Sequence, residues 1–554
     1  MKNFALIRRN FRMFVLMALL LVLTFGALSI QCRDAAPTPG FSAESGFYPE
    51  AFRLTLTVPE GCRVYYTLDS TTPDENSLCY SGPILISNAS ENENTYSMLN
   101  GMSTRNWAKA PDFLIDKCTV VRAVAIPEKP EANTVSQVVT KSYFVGFPRN
   151  HYMPCGVISI VTDPKNLFDS TTGIYVTGDP LVEYLTTSED PESLRWAYWP
   201  ANYRQRGKEW ERPASITFWD AEGGMQLSKE IGIRIQGGWS RAYVPKSLNL
   251  FAREEYDGNG QFEYDFFGTG CSLEAMTLSA GGTGFITRFN DYLMSQRVQG
   301  LDFGLQSFRP YVLFLDGEYW GFYWLTEKYD ARYLQQTYQL DDAQDVIIIK
   351  ASALEAGYEE DLSVYKQMVQ FFANHDLSDL DNYQKACELI DLDSFLDYYA
   401  TMIYIGRMKD WPNFNESLWR TRYTSEEPYA DGKWRWLLFD CNSFCMTEDL
   451  ITHDTLGWVL QESTLFRSLW QNPSFREDFE TRILEIADRY FEAEQMLQFS
   501  QEYKENMTDA LCKTWARFFG SKNERHQEFL TEMESLESFF SQRRAVVSSW
   551  FAES

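Results

Sequence analysis

The 554-residue sequence predicts two folded parts in series: an all-β domain over residues 36–146, then an α+β domain over residues 150–554 that begins with strands and ends with helices. Three observations predict this. Between residues 36 and 146 short segments alternate apolar and polar residues, with turn signals between them. From Pro148 to about residue 330 strands recur around glycine turns and an Asp-Gly pair. After Tyr333 apolar residues recur mostly at three- and four-residue steps, the period of a helix with one buried face.

In the first domain the strands are "FRLTLTV" (52–58), "RVYYTL" (63–68) and "TVVRAVAI" (119–126), punctuated by "PEG", "DSTTPD" and "SGP". The second domain opens with "CGVISIVTD" (155–163) and "ASITFWDAEGG" (214–224). In "IGIRIQGGWSRAYVPKSLNLFAR" (231–253) a strand, a glycine turn and a second strand follow one another. "TRFNDYLMSQRVQGL" (287–301) has helical spacing. "RPYVLFLDGEYWGFYWLTEKYD" (309–330) reads as two strands joined by Asp316-Gly317, a pair that favours a tight hairpin turn. The β-rich part thus runs over about 150–330 and the helical part over about 331–554, where "DSFLDYYATMIYIGRM", "SFREDFETRILEIADRYF" and "LESFFSQRRAVVSSWF" repeat apolar residues on one face.

Composition bounds the function. With 44% apolar residues the chain can bury a large core, and its formal charge of −27, from 50 basic and 77 acidic residues, opposes binding to nucleic acid or an anionic membrane surface. A local basic pocket for a phosphorylated ligand is still allowed, since salt screens charge over about 8–10 Å. The first 31 residues have basic residues, no acids and an apolar run from Met13 to Ile30, the pattern of an export signal or membrane anchor. Cys32 follows directly and is the candidate lipidated residue of a cell-envelope lipoprotein. Nine further cysteines make an odd set without a zinc-type pair, so at most some form disulfides.

The residues that could do chemistry lie in the second domain. Glycines in "QGGWSR" (236–241) allow backbone amides to approach phosphate, and Lys246 on the following strand is placed to reach it. Asp410 and Asn415 have the D-x-x-x-x-N spacing in which an aspartate accepts a hydroxyl proton and an asparagine oxygen takes magnesium. Asp440 ends the apolar run "WRWLLF", where a strand delivers a second metal ligand. Together these are the parts of phosphoryl transfer, with ATP and Mg²⁺ as the expected cofactors. Each feature alone is equally a turn or a helix cap; their order along the chain carries the reading.

Residues 65–86, "YYTLDSTTPDENSLCYSGPILI", resemble the chitobiase/β-hexosaminidase C-terminal type of domain, which implies a fibronectin/Ig-like sandwich acting as an accessory module. Ser70 stands where that pattern has glycine. From about 150 to 550 the blocks "SIVTDPKNLFDSTTGIYVTG", "WERPASITFWDAEGG", "GIRIQGGWSRAYVPKSLNLFAR", "DGEYWGFYWLTEKYDARYL", "KDWPNFNESLWR" and "KWRWLLFD" resemble the CotH-type (spore coat protein H) kinase family. The resemblance implies an atypical, two-lobed protein-kinase-like fold that phosphorylates Ser or Thr of a secreted or envelope protein. It implies Asp410 as the catalytic aspartate, Asp440 with Asn415 and Asn442 as metal ligands, Gly237, Ser240, Arg241 and Lys246 around the phosphates, and Glu327 in a hinge-like segment.

Three departures from the family pattern stand out: Phe414 replaces one of two adjacent asparagines, Asn442 replaces an aspartate two residues after Asp440, and Ser279 replaces an arginine. The 287–301 helix has no glutamate to pair with Lys246; Asp291 is its only acid. These substitutions support the alternative of a pseudokinase-like surface binding or assembly protein, with glycan contact through the β-domain. Glycoside hydrolysis by paired carboxylates, suggested only by the accessory module, ranks last.

Overall fold

The computed structural model describes residues 35–105, 108–129, 134–442, 449–520 and 522–552. The export or anchor segment 1–31 and Cys32 lie outside the described residues, and among those described no helix is long and apolar enough to cross a membrane.

The N-terminal region is β-rich. Its main sheet has the order Gly46–Tyr48, Val139–Val145, Thr119–Pro127, Cys62–Thr67, Leu78–Cys79, and two short ribbons complete it, one pairing Phe52–Leu54 with Ile84–Ile86. Successive side chains on a strand point to opposite faces, so a strand apolar on both faces must be covered on both. Along Thr119–Pro127 the odd-numbered Val121, Ala123 and Ala125 join Leu54, Val64 and Ile86 in the domain's own core. Val120 instead joins Phe47 and Phe144 in the core of the second domain. Phe144 meets Trp219 and Phe314 edge-on at 5.4 and 4.8 Å. Glu318, buried on the second domain, accepts hydrogen bonds from the amides of Thr95 and Ser97 at 2.5 and 2.6 Å. The two domains are therefore packed together through an apolar sheet face.

The β-rich part of the second domain closes into a barrel. Its order is Gly156–Val161, Arg212–Trp219, Met225–Ile235, Leu248–Phe251, Ala275–Ser279, Glu318–Glu327 and Phe308–Leu315, with the last pairing parallel to the first. Asp316 and Gly317 both have positive φ, 49° and 89°, and join Phe308–Leu315 to Glu318–Glu327 as the sequence predicts. Every residue of Glu318–Glu327 is buried, because one face fills the barrel and the other lies beneath the helix Ala493–Phe519. The strand is tied to that helix as well: the Phe322 N–H donates to Thr514 Oγ1 at 2.8 Å.

The C-terminal part is mostly helical but contains a four-stranded sheet, ordered Ala353–Ala356, Val346–Lys350, Ser417–Thr421, Arg435–Leu437. The helix Leu392–Tyr404 is buried from Ser394 onward, as expected for a helix apolar on most sides. One apolar core runs through barrel and helices, so the expected lobes share their interior. This sheet and this helix frame the loop 405–416 and the strand end at Asp440, which face the barrel.

Candidate active site

Loop 405–416 is held from below by aromatic side chains. Trp411 is buried and its Nε1 donates to Tyr398 Oη at 3.0 Å, while Trp458 Nε1 donates to the Trp411 carbonyl at 3.3 Å. Asp410 and Asn415 are thereby brought together. The Asn415 amide donates to the Asp410 carbonyl at 2.8 Å, and Asn415 Nδ2 donates to Asp410 Oδ2 at 3.0 Å. The other carboxylate oxygen, Oδ1, lies 3.0 Å from the guanidinium of buried Arg407. Burial raises the Asp410 pKa, Arg407 opposes that rise, and neighbouring Asp440 adds to it.

Asp440 follows Arg435–Leu437 and takes a left-handed φ of 57°, a conformation that aspartate tolerates better than most residues. Its Oδ1 accepts from Asn442 Nδ2 at 2.6 Å. Asn442 Oδ1 in turn accepts from Thr283 Oγ1 at 2.6 Å, a contact from the barrel side. Gly282 and Gly284 admit this approach: a Cβ on either would come within 3.0 Å of Asn442, and Gly282 also has a φ of 56°. Asp291, at the start of the helix Asn290–Arg297, accepts from the Cys441 amide at 2.5 Å. Burial, then the charge of Asp440, pushes its pKa up to about 7.

The glycine turn behaves differently from the sequence expectation. Gly237 has a φ of 112°, as a tight turn requires, but it is carbonyls of this turn that are engaged. Arg206 and Arg241 donate to the Gly237 carbonyl at 3.0 and 2.7 Å, and Arg204 donates to that of Gly238 at 3.0 Å. Ser240 closes the turn over Gly237, where a Cβ would meet its hydroxyl. Arg241 is buried and also binds the carbonyls of Tyr203 and Gln205, each at 2.9 Å. Burial, with Arg206 and Arg204 nearby, lowers its pKa to about 9.

Lys246 is fully buried. Its ammonium donates to the carbonyls of Arg241 and Tyr243 at 2.5 and 3.1 Å and sits 3.8 Å from the Tyr203 ring centre. Burial and then Arg241 drive its pKa well below the usual lysine value. This corrects the expectation of a phosphate-reaching lysine: the ammonium is engaged inside the fold and props the turn from beneath. Glu327 lies where the chain leaves the barrel, buried, with Oε2 accepting from the Ser307 amide at 2.8 Å and its pKa raised by burial. It anchors that exit, its carbonyl also accepting from Gln306 Nε2.

A cation that does interact with Asp440 electrostatically is Lys350, at the end of Val346–Lys350. Part of the residue reaches solvent, while its ammonium lies 4.2 Å from the Phe439 ring centre and is shielded by protein. Desolvation by the surrounding protein lowers its pKa, Glu355 and Asp440 oppose that shift, and Lys328 and Arg206 add to it. Arg206, which also donates to the Gly237 carbonyl, thus links the glycine turn to the surroundings of Lys350. Sequence reading missed Lys350 and Arg407. The run "VIIIK" was the available signal for the first, since four apolar β-branched residues ended by a lysine suit a strand better than a helix.

The oxygen-bearing side chains Asp410, Asn415, Asp440 and Asn442 fit a hard cation such as Mg²⁺. Each asparagine turns its NH₂ to a carboxylate, and a half-turn of the amide would present its oxygen instead. Among the described residues no group of three or more His, Cys, Asp or Glu is gathered to hold a metal ion. A cation here would take its remaining ligands from phosphate and water, as Mg²⁺ commonly does.

A model of the family described as CotH kinase protein matches residues 233–547, and one described as Fn3 associated matches residues 53–143. No curated protein matches the chain.

Proposed function

The chain belongs to the CotH kinase family, and from that premise we propose that it transfers the γ-phosphoryl group of ATP, with Mg²⁺, to a Ser or Thr hydroxyl of a protein in the cell envelope or secreted from it. The observation that carries this reading is that the hydrogen-bonded pairs Asp410–Asn415 and Asp440–Asn442 are electrostatic neighbours through Asp440, and that Asp440 in turn acts on Lys350 together with Lys328 and Arg206. Phosphoryl transfer needs positioned charge more than covalent help from the protein.

In this scheme Lys350, Lys328 and Arg206 hold the polyphosphate. Asp410 accepts the acceptor hydroxyl's proton while the oxygen–phosphorus bond forms and the bond to the ADP leaving group breaks. Arg407 holds the Asp410 carboxylate in place, and the raised Asp410 pKa suits a group that must take a proton. Mg²⁺, when bound, would neutralise charge on the phosphate oxygens; Asp440, Asn442 and Asn415 are the residues to hold it. Within a two-lobed kinase-like reading, Glu327 anchors the crossing between the parts.

For the Fn3-associated region we favour bracing of the barrel over glycan capture. Tyr66 and Tyr80 of the chitobiase-like stretch pack against its own core. Export through residues 1–31, with lipid attachment at Cys32, completes the proposal.

The test incubates the purified protein with γ-labelled ATP and Mg²⁺ and follows label on the protein itself and on casein, alongside ADP release. The expected result is Mg²⁺-dependent labelling at Ser or Thr that Asp410→Asn lowers by about a hundredfold or more without changing the melting temperature. Neither label nor ADP from the wild type, or undiminished transfer by Asp410→Asn, would overturn it. The second reading, a binding protein of kinase-like build, is favoured by the lack of a ready three-carboxylate metal cluster among the described residues.

A further inference from the structure

The strand end at Asp440 brings one formal charge to the proposed cation, because its neighbour Asn442 is neutral. A second carboxylate stands close by on the other side of the cleft. Asp291 accepts from the amide of Cys441, the residue between Asp440 and Asn442, at 2.5 Å. The charged groups that act on it are Asp440 and Arg407, and Arg407 already lies 3.0 Å from Asp410. Two acids thus face one another with a single shared arginine, an arrangement that a divalent cation would relieve.

The contact also spans the fold. Asp291 belongs to the helix Asn290–Arg297 on the barrel side, whereas residues 440–442 follow the sheet of the helical part. Thr283 grips Asn442 Oδ1 from the same barrel side, and Gly282 and Gly284 leave room for it.

We infer that Asp291 is a positioning residue that fixes the 440–442 turn from the barrel side and supplies the second negative charge for the cation held by Asp440. This rests on the phosphotransferase reading. Asp291→Asn preserves an oxygen to accept the Cys441 amide and removes only the charge. Asn442→Asp returns a charge to the same turn.

The test is Mn²⁺ binding by the whole protein, read by electron paramagnetic resonance in the presence of a non-hydrolysable ATP analogue. Asp291→Asn is expected to weaken Mn²⁺ by about tenfold or more, as loss of a supporting group around a metal does, with the metal-free melting temperature kept within a few degrees. The double variant Asp291→Asn, Asn442→Asp is expected to recover most of that loss. Wild-type affinity in Asp291→Asn, or a double variant no tighter than the single one, would overturn the inference alone. A wild type that binds no Mn²⁺ with the nucleotide analogue would overturn the phosphotransferase reading and this inference with it.

Discussion

Replacing Glu416 by Gln should stabilise the protein at pH 8 and leave it almost unchanged near pH 4. Glu416 follows Asn415 directly, and its Oε1 accepts from Tyr399 Oη at 2.7 Å and from Trp436 Nε1 at 2.9 Å. Part of the residue touches solvent, but the carboxylate is enclosed, and burial raises its pKa from an ordinary 4.5 to about 7. A folded-state pKa above the unfolded value means that the folded protein prefers the protonated form. The stability this group contributes is therefore complete below about pH 4 and is lost as pH rises through about 7. The gap from 4.5 to about 7 corresponds to about 3 kcal/mol, an upper bound given the partial exposure. Glutamine keeps the accepting oxygen for Tyr399 and Trp436 and cannot ionise. Urea unfolding of both proteins at several pH values reads the difference, which should be near zero at pH 4 and grow to about 2–3 kcal/mol at pH 8. A difference independent of pH, or a variant less stable at pH 8, would refute the assignment of Glu416 as a buried acid charged at a cost.

Glu318→Ala should cost about 3–5 kcal/mol, because it leaves the buried amides of Thr95 and Ser97 without their charged acceptor. Urea unfolding together with faster proteolysis within residues 87–117 checks this; an unchanged midpoint and cleavage rate would show that the two domains do not depend on that contact. Lys350→Met should weaken nucleotide binding by about tenfold or more, the value of one charge-assisted phosphate contact, while Lys246→Met should act mainly through stability, since its ammonium binds only the carbonyls of Arg241 and Tyr243 among its hydrogen-bond acceptors here. Equal nucleotide affinity in Lys350→Met and wild type, measured by fluorescence competition, would remove Lys350 from the site.

Local features of the fold were legible in the sequence, and long-range ones were not. The Asp316-Gly317 hairpin and the pairing of Asp410 with Asn415 each depend on a few consecutive residues, whose chemistry sets the turn directly. Closure of the barrel depends on Gly156–Val161 meeting Phe308–Leu315, a pairing between segments some 150 residues apart. No alternation pattern within either strand specifies that partner. The two-faced burial of Thr119–Pro127 was present as a run of apolar residues, but which face met its own domain and which met the barrel required the packed structure.

The candidate site divides in the same way. Asp440 was readable because an apolar strand ends at an acid. Lys246 misled because a lysine beside a glycine turn is ordinarily solvent-exposed, and only the folded loop shows two carbonyls and the Tyr203 ring enclosing it. Lys350 was missed because its strand lies within a stretch whose surroundings have helical spacing. Asp291 became meaningful only when segments 150 residues apart met at its contact with Cys441, and Arg407 only when loop 405–416 folded its guanidinium onto Asp410.

The central claim is that one cleft holds a nucleotide polyphosphate through a divalent cation. Isothermal titration calorimetry of the purified protein with ATP, with Mg²⁺ and then with EDTA, tests it most directly. The account predicts a saturable one-site heat with Mg²⁺ that EDTA removes and that Asp440→Asn weakens. No heat up to millimolar ATP with Mg²⁺, or binding equally tight in EDTA and in Asp440→Asn, would contradict it.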